Sequence, residues 1–169
     1  MKTMIETLTK LLIWLARAGA GLAFTVLIVA VLVQVVGRSI GNSPVWTEEL
    51  TRFALLYLVA FGAGLALRSG DMVNVDVICE NLPGRAPWVL RLVCAGITLA
   101  LAVYLLPHAW KYVSIGRMQT SPALELRMTY VHFTVWLLLA LMALAAALRV
   151  IGMLMGTEDG TPEKKPEEA

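Results

Sequence analysis

The stretch MTYVHFTVWLLLALMALAAAL, residues 128–148, runs for 21 positions without an Asp, Glu, Lys or Arg. A helix rises about 1.5 Å per residue, so a hydrocarbon core about 30 Å thick takes roughly 20 apolar residues, and this run is long enough. Moving outward toward the N-terminus, uncharged runs recur at 92–110 (19 residues), 53–67 (15 residues) and 18–37 (20 residues). The 15-residue run is short for a membrane. Arg52 and Arg68 border it, however, and can lay their aliphatic stems along apolar surface while keeping their charges outside. Trp46 lies ahead of it and suits the headgroup level. The sequence therefore predicts an all-α integral membrane protein with four transmembrane helices at about 18–37, 50–68, 92–110 and 128–149, inside a membrane domain of residues 1–155.

Composition narrows the function. Of 169 residues 59% are hydrophobic and only 15% charged, with mean hydropathy +0.75. A soluble domain carries about 25% charge, so a water-soluble enzyme and a disordered chain are both excluded. Fourteen basic against 12 acidic residues leave +2, too balanced for a nucleic-acid surface. The first run follows Lys2, Lys10 and Arg17, as a signal peptide would. Its apolar stretch is nevertheless too long for one and ends at Val36-Gly37-Arg38 without a small-residue cleavage site, so it reads as a retained helix. Lys2, Lys10, Arg17, Arg68, Arg85, Arg91, Arg149, Lys164 and Lys165 fall on one side of the predicted membrane, a total of 9. Arg38, Arg52, Lys111, Arg117 and Arg127 fall on the other, a total of 5, so the positive-inside rule puts both termini in the cytoplasm. Residues 156–169, polar and Pro-containing, read as a disordered cytoplasmic tail.

Ionisable groups within a membrane mark ion, proton or substrate paths. No Asp, Glu, Lys or Arg lies within the four runs, and the titratable groups there are limited to such residues as Tyr57, Tyr104, His108 and His132, which favours a scaffold or partner subunit over a self-sufficient pump or a small homodimeric exporter. No residue takes a catalytic label. Cys79 and Cys94 form no CxxC, and neither a disulfide nor a metal site is expected. His108 closes the third run and His132 opens the fourth. Two readings stand there: interfacial hydrogen-bonding groups, or a haem pair in a membrane anchor of a redox complex.

Around the second run, Ser43 suits an N-cap, Pro44 the first helical position, and Glu48 and Glu49 the positive end of the helix dipole. Glu48 and Arg52 have the spacing of an i,i+4 pair. Trp46, Leu50, Phe53 and Tyr57 share one face, which predicts an amphipathic interfacial arm helix before the second span. Ala60, Gly62, Ala63, Gly64 and Ala66 thin the second helix, and Ala140, Ala143 and Ala147 the fourth, for close approach within this chain or to another. Val75, Ile78, Cys79 and Leu82 then predict a short surface helix ahead of a Pro83-Gly84 turn.

Trp46-Thr47-Glu48-Glu49, Gly62-Ala63, Arg68-Ser69-Gly70-Asp71-Met72-Val73-Asn74-Val75-Asp76, Leu82-Pro83 and Thr120-Ser121-Pro122-Ala123-Leu124 occur in this order across four apolar runs. Together they resemble the small (Q-type) membrane subunit of tripartite ATP-independent periplasmic (TRAP) transporters, over roughly residues 18–148. Met72, where many members have His, and the charged Arg127 depart from the pattern. The resemblance implies a bacterial inner-membrane protein that partners a large TRAP membrane subunit, a periplasmic substrate-binding protein and membrane lipids. In such systems the large subunit performs sodium-coupled uptake of a carboxylate, and the small subunit braces it. The resemblance further implies that Trp46, Glu48, Glu49 and Arg52 orient the surface arm and that Arg68 and Asp76 fix the cytoplasmic turn. It implies no cofactor on this chain, with sodium coupling carried by the large subunit.

Overall fold

The structure, a computed structural model, describes residues 2–42, 44–69 and 86–156. Among the described residues there are four α-helices, α1 (Lys2–Ser39), α2 (Trp46–Ser69), α3 (Ala86–Ile115) and α4 (Thr129–Leu154), with one 3-10 turn at Gly116–Met118. They supply four stretches long and apolar enough to cross a membrane: Thr7–Ser39, Trp46–Leu67, Ala86–Met118, which takes in the 3-10 turn, and Thr129–Leu154. The four-helix membrane architecture is thus the one the uncharged runs predict. The predicted surface helix with its Pro83-Gly84 turn, Ser43, Cys79 and the tail from 157 onward lie outside the described residues.

Two boundaries differ from expectation. Trp46–Ser69 is one unbroken helix, so the interfacial arm forms the first two turns of the second span and is continuous with it. Pro44 precedes the helix instead of opening it. Its carbonyl accepts both the Thr47 hydroxyl (2.7 Å) and the Thr47 N–H (3.2 Å), and this turn starts the helix two residues later. α1 also begins well before residue 18, carrying Lys10 and Arg17 on helical backbone.

The helices pack as a row. α1 lies along α2, α2 along α4, and α4 along α3; α1 only grazes α4, and among the described residues α3 meets neither α1 nor α2. Burial follows that order. In the most apolar window of each span, 33% of α4 and 22% of α2 is buried, against 11% each for the outer helices α1 and α3.

Small residues mark the seams. α1 buries Thr9, Ala16, Ala23 and Ala30, and α3 buries Ala95, Ala102 and Ala109, a series that Gly116 of the following 3-10 turn continues, both at intervals of seven. A seven-residue repeat is 3.5 residues per turn, slightly under the helix's own 3.6, which suits nearly parallel axes with a left-handed twist. Lipid is as apolar as leucine, so membrane helices gain little by hiding large side chains and associate through close backbone approach. Gly19 of α1 lies directly under the Phe61 ring of α2, and Gly64 of α2 packs on Leu141 of α4. Among the small residues of α2, Ala60 and Gly64 are buried within this chain, whereas Gly62 has open space around it.

Candidate functional site

Polar chemistry concentrates at the end of the row formed by residues 39–42, 44–46 and 116–128, called here the loop end. After α3, the 3-10 turn leads into a tight loop that folds back on itself. Thr120 and Arg127 form an antiparallel bridge, Ser121 N–H donates to the Leu126 carbonyl (2.8 Å), and Met128 N–H donates to Gln119 (2.9 Å). Glu125 at its tip has φ 53°, the left-handed conformation that a reversal this tight requires.

Glu49 from α2 holds this loop. Its Oε1 accepts the Ala123 N–H (3.1 Å) and its Oε2 the Leu124 N–H (3.0 Å). Pro122 offers no N–H, so the two successive amides after it make a small anion-binding concavity for one carboxylate. The buried Ser121 hydroxyl accepts the Leu126 N–H (3.3 Å) and, together with the Ala123 and Leu124 amides, favours the charged form of Glu49. Charge-assisted bonds of this kind are roughly twice as strong as neutral ones, and two parallel ones fix geometry as well as distance.

The latch continues along the α2/α4 seam. Tyr57 Oη donates to the Tyr130 carbonyl (2.8 Å), Gly64 contacts Leu141, and Arg149 Nη1 donates to the Leu67 carbonyl (3.1 Å). Partners rise together along both chains, so α2 and α4 run parallel and are joined from end to end. Arg149 serves the last turn of α2, where carbonyls have no helical partner and a cation suits the dipole.

The neighbouring carboxylate points elsewhere. Glu48 pairs with Arg38 of α1 (3.2 Å) and not with Arg52, the partner its spacing suggested. Both side chains of the Arg38–Glu48 pair are well exposed. Arg52 is exposed and close enough to Glu49 for its charge to act there. Trp46 is 40% exposed on the outside of the collar, while Thr47 beside it is fully buried. The structure thus brings Glu49 to a functional contact, leaves Trp46 and Arg52 facing outward, and ties Glu48 to α1. The Arg68 side chain and Asp76 lie outside the described residues.

The two histidines serve different tyrosines. His132 is buried, stacks on Tyr112 (centroids 4.0 Å apart, 25° between planes) and bonds through Nδ1 to the Tyr112 carbonyl (3.2 Å). Gly116 makes room for this ring, since a Cβ there would stand 2.8 Å from Nδ1. His108 is exposed and bonds through Nδ1 to Tyr104 on its own helix (3.1 Å). Trp110, Phe133 and Trp136 complete an aromatic set between α3 and α4. Among the described residues no group of three or more His, Cys, Asp or Glu side chains could hold a metal ion.

Sequence reasoning missed Ser121 as a carboxylate partner, Tyr130, Gly116 and the role of Arg149. The Pro122-Ala123-Leu124 order was the available signal for the first, since proline followed by two free amides near a loop invites an anion.

Four apolar helices joined in a row, each long and apolar enough to cross a membrane, define a multi-pass membrane protein. Residues 27–156 match the family described as "Tripartite ATP-independent periplasmic transporters, DctQ component". The chain belongs to that family, which is a transporter component and not an enzyme family. It is also similar to the isethionate TRAP transporter permease protein DctMQ of Oleidesulfovibrio alaskensis, 33% identical over 92 residues, or 50% of this chain. The chain spans only 14% of that relative's length.

Proposed function

We propose that this chain is the fixed brace of a TRAP transporter: it enlarges the immobile part of a large membrane subunit whose moving part carries a carboxylate together with sodium, after delivery by a periplasmic binding protein. One observation carries the reading. The helices form an open row latched along its middle pair, and among the described residues no carboxylate lies within the uncharged runs of α1 to α4. A row encloses no path, and uncharged spans without a carboxylate offer a sodium ion no charged ligand to follow. Large apolar side chains such as Val93, Ile97 and Leu101 remain exposed on the outer helix α3, as a lateral contact requires. In the DctMQ relative the matching stretch is a small part of one long permease, which supports a large partner for the chain here. The loop end then faces the periplasm and both termini the cytoplasm of the inner membrane, as the Lys and Arg distribution favours.

The test is reconstitution. Large subunit and binding protein are placed in sodium-free proteoliposomes with and without this chain, sodium is added outside, and uptake of a labelled carboxylate is followed. The expected result is loss of most uptake when the chain is omitted and recovery when it is added back. Full-rate uptake without it would refute the bracing role.

A further inference from the structure

The outer surface of α1 carries a cationic stripe that neither the latch nor the seams use. Lys10, Trp14, Arg17 and Gly21 fall within an arc of about 60° at 3.6 residues per turn. All four are exposed, Trp14 at 65%. The buried seam of Thr9, Ala16 and Ala23 faces away from them by about 130°. Among the described residues neither Lys10 nor Arg17 has an ion-pair or hydrogen-bond partner. The sequence offers no acid between Glu6 and Glu48.

Depth makes these cations unusual. Leu12, between them, packs against the buried cluster of Leu67, Ala145 and Ala146, and so does Leu99 from the middle of the uncharged run of α3. Arg17 is a further five residues along α1, about 7.5 Å deeper at 1.5 Å per residue, close to where Phe61 covers Gly19. At that level the other three helices carry no charge. An exposed guanidinium there is costly unless its head reaches an anion, and the aliphatic stems of Arg and Lys allow such heads to bend toward the headgroups. Trp14 between the two cations is the aromatic that membrane interfaces favour, and Gly21 below has nothing within 4 Å, leaving a flat track beside the helix.

We propose that Lys10, Trp14 and Arg17 form a binding site for the headgroup of one anionic phospholipid, with an acyl chain running over Gly21. Arg17 supplies a planar fork suited to phosphate oxygens, Lys10 a second positive charge about 10.5 Å away along the helix, and Trp14 the apolar wall between them. An anionic lipid fits this stripe better than a protein carboxylate, because the cations flank an exposed aromatic and open onto a surface that lipid chains cover. The site stands on α1 alone and is independent of the bracing role.

The full-length chain, with any membrane partner that co-purifies, is examined by native mass spectrometry after equilibration with phosphatidylglycerol or with phosphatidylcholine. Expected are retention of phosphatidylglycerol over phosphatidylcholine, at least a fivefold drop in that retention in the Lys10→Gln/Arg17→Gln double variant, and no change in Lys111→Gln, an exposed base on α3. Equal retention of the two lipids, or an equal drop in Lys111→Gln, overturns the site. So does a double variant that keeps phosphatidylglycerol but loses a protein partner, since the stripe then meets protein. If the double variant aggregates, wild type is titrated with salt: retention that falls steeply between 0.1 and 0.5 M NaCl supports the site, and salt-independent retention overturns it.

Discussion

Alanine placed at three glycines is expected to give three different outcomes, because each meets a different obstacle. At Gly116 a Cβ would stand 2.6 Å from Thr129 N, 2.7 Å from the Met128 carbonyl carbon and 2.8 Å from His132 Nδ1. Ordinary contact starts near 3.4 Å, so the first approach is short by about 0.8 Å. Two of the three obstacles are backbone, and only a retreat of the α4 entry from the 3-10 turn relieves them. That retreat strains the loop and lengthens the His132–Tyr112 bond, already 3.2 Å. Overpacking costs about 1–3 kcal/mol and a lost buried hydrogen bond about 0.5–1.5, so Gly116→Ala should destabilise by about 2–4 kcal/mol. At Gly19 the obstacle is the Phe61 ring at 2.7 Å, a side chain that can swing aside. Its overpacking cost of about 1–2 kcal/mol is largely offset by alanine's helix preference of about 0.8–1, leaving a net loss under about 1 kcal/mol. Gly62 has no neighbour within 4 Å, so its substitution should be neutral or stabilising by up to about 1 kcal/mol. Unfolding the purified chain from mild micelles with SDS, followed by tryptophan fluorescence and helical circular dichroism, gives the ranking. Gly116→Ala unfolding as late as Gly62→Ala would refute the packing described between the 3-10 turn and α4.

Three further outcomes are expected. Glu49→Gln retains one amide partner at best and Glu49→Ala none, so hydrogen exchange across residues 119–128 should accelerate in the order Ala, then Gln, then wild type; unchanged exchange would mean the loop stands without its carboxylate. Arg149→Gln should weaken the last turn of α2 by about 1 kcal/mol, seen as faster exchange at 64–69, with Arg149→Lys intermediate. Arg38→Gln should change stability by about 0–1 kcal/mol and become indistinguishable from wild type at high salt, because the Arg38–Glu48 pair is 64% and 48% exposed.

The membrane architecture was legible because hydrocarbon tolerates so few charges: four uncharged runs allow little besides four helices. The packing was not. A water-soluble helix advertises its buried face by alternating polar with apolar residues, but both faces of these helices are apolar, and small against large is the difference that counts. The Thr9, Ala16, Ala23, Ala30 series is present in the sequence. Ala18, Gly19, Ala20 and Gly21 blur it, because small residues there fall on several faces at once.

The loop end shows the limit of spacing in a sharper way. Glu48 and Glu49 are adjacent, so their side chains leave the helix about 100° apart and serve different neighbours. Local spacing favoured Glu48 with Arg52, worth a few tenths of a kcal/mol on an exposed helix. Tertiary structure offers Glu48 a cation from α1 and Glu49 two backbone amides from a loop 74 and 75 residues away. The amides decide the second case: lining a half-buried concavity, they lack helix or sheet partners, and an unsatisfied N–H is costlier than an unpaired surface arginine. Trp46-Thr47-Glu48-Glu49 and Thr120-Ser121-Pro122-Ala123-Leu124 are therefore two halves of one contact, which neither reveals alone. On the proposed bracing role, that contact has a clear use. A row of helices held only by dispersion could shear as a neighbouring domain slides past, whereas α2 and α4, joined through Glu49 at one end and Arg149 at the other, resist sliding along their common axis.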